Sequence, residues 1–392
     1  MPHPAASCAS PLTDLAVIEI GHSVAAPYAG QIMADLGATV IKIENPNGGD
    51  DARHWVPPAW QDSSAVFQTI NRNKYSACFD LKDHESKRRV RELIAHADIV
   101  VQNLRPGLVE KYGLDSATVR AENRRLIYCN LGAFGSVGPL RDSTGYDPLV
   151  QAFSGIMSVT GEAGRPPIRV GPSIIDMGAG LWCVIGILAA VVRRQQTGEG
   201  CTVDTSLYET GIAWMNIPLA TSIASGRDAG KSGSETPMLA PYRAFKASDR
   251  YIVVAAGNDN LFRRLCQVVG RPDWAADARF VSNAHRVANR VALNDLLDEL
   301  IGSQPERFWT EKLTAVGVPC APLQTPMEVL DHPQTQALGI MGSAGVGGMN
   351  VVGSPLRFDG SRPAIHKAAP TLGADTDQAL ELLTRGLRRK DA

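Results

Sequence analysis

A parallel, doubly wound α/β sheet is the fold this sequence predicts for its first half, and three observations predict it. Two short apolar runs, LAVIEI at 15–20 and TVIKIE at 39–44, have the length and composition of strands buried on both faces. Between them, residues 25–38 place Ala29, Met33 and Leu36 at helical spacing. The alternation then recurs further along, as right-handed strand–helix–strand crossovers require.

In order, Gly21 ends the first strand and Gly37 closes the first helix, and the loop NPNGGDD follows the second strand. Lys82–Ala97 reads as a helix with one strongly charged face, and ADIVVQN (97–103) and RLIYCNL (125–131) read as strands. Helical stretches follow at 148–158 and 174–196, then the strand CTVDTSL (201–207), so that residues 1–225 form one large domain. The polar, glycine-rich SGRDAGKSGSET marks a linker. Beyond it, YRAFKAS and RYIVVAA alternate around Asp249-Arg250 as a hairpin does, and helices at 259–269, 286–302 and 306–316 complete a smaller α+β domain over 226–330. The tail, 331–392, holds pieces too short for a third core and is expected to return to the large domain.

Composition excludes several function classes. A net charge of −1, from 39 basic and 40 acidic side chains, argues against nucleic acid as a partner. The seven cysteines, Cys8, Cys78, Cys129, Cys183, Cys201, Cys266 and Cys320, are odd in number and form no C-x-x-C. Neither a disulfide scaffold nor a metal site is expected, and the compartment reads as reducing. The opening MPHPAASCASPL lacks the basic and apolar regions of a secretion signal, which makes the cytoplasm the expected location. Ile174–Val192 approaches the length of a membrane span, but it carries Asp176 in its first turn and Gly178, Gly180 and Gly186 within. It reads as a core helix, with no membrane partner.

The phosphate-binding loop G-x-x-x-x-G-K-[ST], the dinucleotide fingerprint G-x-G-x-x-G and the nucleophile elbow G-x-S-x-G are all missing. A Rossmann-like sheet without them takes its function from another site. Asp176 is the candidate. Pro172 and Ser173 open a helix, so free amides and the positive end of the helix dipole are expected to stabilise its carboxylate. A carboxylate placed there can attack an activated acyl group and form an anhydride. Gly178 and Gly180 would let a ligand or another chain approach the backbone. From the local pattern alone, helix capping is the plainer account of an aspartate at this position.

The segments LAVIEIGHSVAAPYAGQIMADLGATVIKIENPNGGDDAR, INRNKYSACFDLK, DIVVQNLRPGLVEKYGL, GYDPLVQAFSGIMSVTGEAGRPP, VDTSLYE and PTLGADTDQAL resemble, in order and over nearly the whole chain, the class III CoA-transferase (CaiB/BaiF) family. That family includes formyl-CoA transferases and α-methylacyl-CoA racemases. The resemblance implies that Asp176 is the catalytic aspartate, that coenzyme A is carried as substrate with no permanently bound cofactor, and that the protein is an interlocked homodimer. It also implies CoA contacts at Ser23, Val24, Ala25, Asn45, Asn71, Arg72, Asn73, Lys74, Asn103, Leu104, Arg105, Lys111, Tyr146 and Asp147. Val24 replaces a glutamine and Asn45 an arginine of the formyl-CoA transferases, and their glycine-rich loop is absent, so oxalate is not the obvious acceptor.

Tyr146-Asp147 is where the readings divide. Racemases of the family carry histidine before this aspartate, and a tyrosine, titrating near ~10, is a poor base at neutral pH. The sequence therefore favours CoA transfer to a small carboxylic acid, dicarboxylic acids included. A racemase and a non-catalytic CoA-binding protein stand as alternatives. His22 follows the first strand and is either an acyl contact or a satisfied structural group, and Arg169 and Arg243 are candidates for gripping a second carboxylate.

Overall fold

The computed structural model describes residues 10–345 and 348–388. Cys8 and most of the opening stretch lie outside the described residues. The chain divides into two compact units: one joins the residues up to Ile156 with Arg169–Leu219 and the tail from Gln334, the other joins Met157–Ile168 with Ala220–Pro333. Met157–Ile168, which the sequence pattern groups with the large domain, is tied to the small unit by hydrogen bonds. Gly233 N donates to Gly161 O at 2.9 Å, and Lys231 Nζ reaches Arg165 O and Pro166 O at 3.1 and 3.2 Å.

The large unit is built on six strands: β1 (Ala16–Ile20), β2 (Thr39–Glu44), β3 (Tyr75–Cys78), β4 (Ile99–Gln102), β5 (Ile127–Gly132) and β6 (Thr202–Ser206). They pair in the order β3-β2-β1-β4-β5-β6, all parallel. The order reverses between β1 and β4. The loops leaving these two strands diverge there and open a crevice at their carboxyl ends.

The apolar-run pattern predicts five of these strands but not β3. Tyr-Ser-Ala-Cys contains no branched aliphatic residue, and β3 lies at the sheet edge, where the tail covers it. Asp375 Oδ2 accepts from Ser76 N at 2.9 Å, Thr376 Oγ1 from Cys78 N at 3.0 Å, and Asn73 Oδ1 from the amides of His366 and Lys367 at 2.9 and 3.0 Å.

Helices α1 (Ala25–Asp35), α2 (His84–Ala95), α3 (Leu108–Tyr112), α4 (Asp147–Phe153), α5 (Ile174–Thr197) and α6 (Leu207–Trp214) belong to this unit. The helix expected at 148–158 ends at Phe153 because the chain turns through Gly155 at φ +89°. α5 buries Ile175, Ala179, Cys183, Val184 and Ile187, and it crosses α1 so closely that a Cβ on Gly180 would stand 2.8 Å from Ala25 O. Near its end, Arg194 is buried against Asp98 at 3.1 Å. By length and composition α5 could cross a membrane. A face and an arginine committed to the domain interior identify it as a core helix instead.

Two of the sheet's apolar runs hide charges, Glu19 in the first and Lys42 and Glu44 in the second. Glu19 and Lys42 are register neighbours on β1 and β2 and so project from the same face. Lys42 Nζ meets Glu19 Oε1 at 2.7 Å and Asp50 Oδ2 at 2.8 Å, and Lys74 Nζ meets Glu19 Oε2 at 2.8 Å, with Glu19, Lys42, Asp50 and Lys74 side chains all inaccessible. Burial opposes the Lys42 charge, but Asp50, Glu19 and Glu44 outweigh it and hold the ammonium above its ordinary pKa. Burial dominates at Lys74 and pulls it down to about 8.

Gly30 makes room for this cluster, since a Cβ there would lie 2.0 Å from Glu19 Oε2. Gly30→Ala is therefore expected to destabilise the protein by roughly 1–3 kcal/mol, despite the better helix propensity of alanine. A melting temperature lowered by several degrees would show it, and an unchanged melt would mean that Glu19 is free to move aside.

In the small unit, β7 (Tyr242–Lys246), β8 (Tyr251–Ala255) and β9 (Cys320–Pro322) form an antiparallel sheet in the order β9-β8-β7. The hairpin is the one the alternation predicts. β9, three residues long with a proline, carries no such signal. Helices α7 (Asp259–Val268), α8 (Arg290–Gly302) and α9 (Glu306–Ala315) bury Phe262, Leu265, Leu293, Leu297, Trp309 and Leu313 in a separate core.

Candidate active site

Asp176 stands in the first turn of α5. Its surroundings reverse one expectation. The amides at that helix start are taken by Asp147, whose Oδ2 accepts from Ile175 N at 2.8 Å and Asp176 N at 3.3 Å, while its Oδ1 accepts from Gln151 Nε2 at 2.6 Å. Gln151 is fixed in turn by Val170 N at 2.8 Å. The capping role thus belongs to Asp147, which is 3% exposed at the start of α4. The Asp176 carboxylate is not stabilised by the helix start. Burial, and then the charge of Asp147, push its pKa up to about 7.

Asp176 is half-buried and lines a crevice of about 130 Å³. The crevice opens at the carboxyl ends of β1, β4 and β5. His22, Ser23 and Ala25 contribute from the β1 loop, Asn103, Leu104 and Arg105 from the β4 loop, and Leu131, Gly132 and Ala133 from β5 and its loop; Gly145 and Tyr146 face them from before α4. His22 and Leu104 also border a second crevice, lined by Glu44, Asn45, Asp50, Asp80, Lys82 and Tyr112 among others. The two recesses thus share His22 and Leu104 as a common wall.

The β1 loop is held by side chains at every turn. Lys42 Nζ donates to Gly21 O at 2.7 Å. Asn103 brackets His22, accepting from His22 N and donating to His22 O, both at 3.0 Å. Asp50 Oδ1 accepts from Ser23 N at 2.9 Å, and Ser23 adopts a left-handed backbone, φ +68°. The His22 Nδ1 and Ser23 Oγ lie 3.1 Å apart, and burial lowers the His22 pKa, keeping the ring neutral near pH 7.

Of the CoA-binding positions carried by the family resemblance, Ser23, Ala25, Asn103, Leu104, Arg105 and Tyr146 meet Asp176 in one crevice, and Asn45 lies in the adjoining one. Others are placed differently. Asn71, Arg72, Asn73 and Lys74 are all buried and spent on internal bonds: Arg72 pairs with Asp35 at 2.6 Å, Asn73 holds the tail and Asp35, and Lys74 Nζ donates to Pro27 O at 2.7 Å and Asn71 Oδ1 at 2.8 Å. Their side chains are structural here, because a charge or amide in the sheet interior must be paired within the protein. Val24 faces a separate apolar cavity beside Tyr28 and Met177, and Lys111 is an exposed side chain on α3.

Arg169 is exposed and donates to Gly171 O at 2.8 Å, and Arg243 is committed to Asp298 at 3.3 Å. Gly178 and Gly180 admit Trp214 and α1 of the same chain rather than a ligand. Trp55, Pro106, Ser143, Thr144 and Leu207 line the Asp176 crevice without having been singled out by sequence. Their one signal is position, since Pro106 follows β4 and Leu207 follows β6.

A sequence model described as CoA-transferase family III matches residues 12–376. A protein of Acetobacter aceti named acetyl-CoA:oxalate CoA-transferase is 36% identical over 364 residues, covering 92% of this chain and 93% of its own length. Succinate–glutarate CoA-transferase of Agrobacterium fabrum is 37% identical over 336 residues, with 84% of each chain covered. Among solved structures, a CaiB/BaiF family protein from Brucella suis superimposes with a TM-score of 0.86 at 36% identity, covering 95% of this chain and 99% of that one.

Proposed function

The chain belongs to CoA-transferase family III, and from that premise we propose that it moves coenzyme A from an acyl-CoA donor to a small dicarboxylic acid by way of a covalent bond at Asp176. It is an enzyme of acyl-CoA:carboxylate CoA transfer. The observation that carries the covalent route is the position of Asp176, a carboxylate with its pKa near 7 lining a crevice at the switch point of the sheet.

In this reading the Asp176 oxygen attacks the donor thioester, the C–S bond breaks, and CoA leaves as thiolate with an aspartyl anhydride left behind. The thiolate returns to the Asp176 carbonyl and releases the first acid. The acceptor carboxylate then takes the acyl position, and a second exchange yields the new thioester. Burial raises the energy of the anion, which makes it a better nucleophile once its proton is lost. Asp147 fixes the helix start and so the direction of attack. The nucleotide end of CoA is assigned to the crevice lined by Asn45 and Tyr112, and the pantetheine arm to the path past His22 and Leu104 into the recess of Asp176. The dicarboxylic acceptor follows the names of the relatives, oxalate and glutarate among them. Tyr146 beside the same crevice is the residue that weighs against racemisation.

The test is trapping. Incubation with succinyl-CoA and hydroxylamine, followed by peptide mass analysis, is expected to convert Asp176 to its hydroxamate. The trapping rate should rise about tenfold per pH unit below ~7 and level off above it, because only the carboxylate attacks. Absence of an Asp176 adduct with succinyl-CoA, acetyl-CoA and oxalyl-CoA alike would sink the covalent route.

We assign the enzyme to the cytoplasm and to a homodimer. The outward side of α5, where Leu181, Trp182, Ile185 and Val192 are 40–56% exposed, suits burial against a second copy. Light scattering on the purified protein should give twice the chain mass, and a monomer at micromolar concentration would contradict the assignment.

A further inference from the structure

Among the polar groups of the Asp176 crevice that the reaction as described leaves unused is the hydroxyl of Ser23. We propose that Ser23 is a catalytic residue whose hydroxyl donates to the carbonyl oxygen of the acyl group as it becomes an oxyanion under attack by Asp176, with His22 as the residue that aims it. The inference deepens the covalent reading and rests on it.

Three features of the structure support this role. First, Ser23 adopts φ +68°, a conformation that costs a non-glycine residue roughly 1 kcal/mol or more. The cost is met by the surrounding fold: Lys42 holds Gly21 O, Asn103 holds both backbone groups of His22, and Asp50 holds Ser23 N. Lys42 and Asp50 are themselves locked in the buried charge cluster, so the turn is fixed to the sheet rather than to a mobile loop.

Second, the His22 Nδ1 stands 3.1 Å from Ser23 Oγ. With the proton on Nδ1, the ring donates to Oγ and leaves the Ser23 proton free to point into the crevice. Third, Ser23 lies where β1 gives way to α1, and the first turn of α1 carries no side-chain cap. The uncapped amides of that first turn favour negative charge beside the hydroxyl.

The step balances without net proton transfer. The Asp176 oxygen forms a bond to the thioester carbon, and the carbonyl π pair moves onto oxygen, where the Ser23 O–H bond meets it. As that pair returns, the C–S bond breaks and CoA thiolate departs. Ser23 stays protonated throughout.

The experiment compares Ser23→Ala and Ser23→Gly in steady-state transfer from succinyl-CoA. Alanine keeps the backbone preference of serine and glycine relieves it, so the pair separates the hydroxyl from the strain. Both are expected to lose about 10²-fold in kcat with KM for succinyl-CoA changed by no more than about twofold, the effect of deleting one donor to a developing oxyanion.

In the Ser23→Ala background, His22→Asn should lower kcat no further, whereas alone it should lower kcat. Retention of kcat in Ser23→Ala, or a loss confined to KM, would overturn the proposal, as would mass analysis finding the acyl group on Ser23 itself. Hydroxylamine trapping separates this outcome from failure of the covalent reading. Ser23→Ala must still give the Asp176 hydroxamate, more slowly, whereas an enzyme acting by another route gives none in the wild type either.

Discussion

Asp176→Asn is expected to abolish CoA transfer and, at the same time, to make the protein more stable at neutral pH. Loss of the nucleophile removes the covalent path altogether, and a fall in kcat of about 10³–10⁶-fold is the ordinary scale of such a deletion. The stability gain follows from the raised pKa. An unfolded aspartate has an ordinary pKa near 3.8, and burial beside Asp147 brings the folded one to about 7. Between these values the folded state binds the extra proton, so stability falls as pH rises from about 4 and the full loss is present above about 7.

Three pKa units correspond to about 4 kcal/mol as a ceiling, and partial access of water to the crevice reduces it. Asparagine carries no charge to desolvate. Its melting temperature should exceed the wild type by several degrees near pH 8, with the difference vanishing near pH 4. An inactive variant with no such gain would show that the Asp176 carboxylate is well solvated, and the account of its tuning would be wrong.

Glu19→Gln should be among the most destabilising single substitutions available, costing about 3–5 kcal/mol. Glu19 is the anion shared by Lys42 and Lys74, with all three side chains inaccessible. Glutamine keeps the shape and removes the charge. Lys42 retains Asp50, but Lys74 is left with Asn71 Oδ1 and Pro27 O, neither of which is ionised. Lys74 already sits at about 8, below the ordinary lysine value, chiefly through burial.

Without Glu19 it should fall further and be neutral in the folded state at pH 7. The unfolded chain then binds one more proton, so stability must rise with pH up to about 10.5. The variant should accordingly lag the wild type by many degrees near pH 7 and recover part of the gap near pH 9. Equal melting at pH 7 would mean that water reaches the cluster.

How much of this was legible in the sequence depends on which physical signal each part leaves. The βαβ beginnings were plain because branched aliphatic residues in runs of five or six have few alternatives to a buried parallel strand. β3 and β9 were not, since each takes its pairing from a neighbour and contributes few apolar side chains of its own. Asp176 was visible as a carboxylate at a helix start. The direction of its pKa was not, because the amides expected to serve it are intercepted by a residue 29 positions earlier.

Asn71–Lys74 show the reverse failure. A basic, amide-rich motif looks like a ligand grip when read in a line. Only the fold reveals that Arg72 and Lys74 point at Asp35 and Glu19. The charges of Glu19 and Lys42 were likewise in view, but two opposite charges on strands of unknown register do not announce that they are partners.

The covering of β3 has a consequence for biosynthesis. Ser76 N waits for the carboxylate of Asp375, 299 residues downstream. At a translation rate of about 5–20 residues per second, some ~15–60 s separate the emergence of that edge from the arrival of its partner. The small unit, whose residues end at Pro333, can close on the ribosome during that interval, whereas the large one has a bare β-edge until Asp375 and Thr376 have emerged. A nascent chain halted before residue 370 should therefore engage chaperones through its first hundred residues.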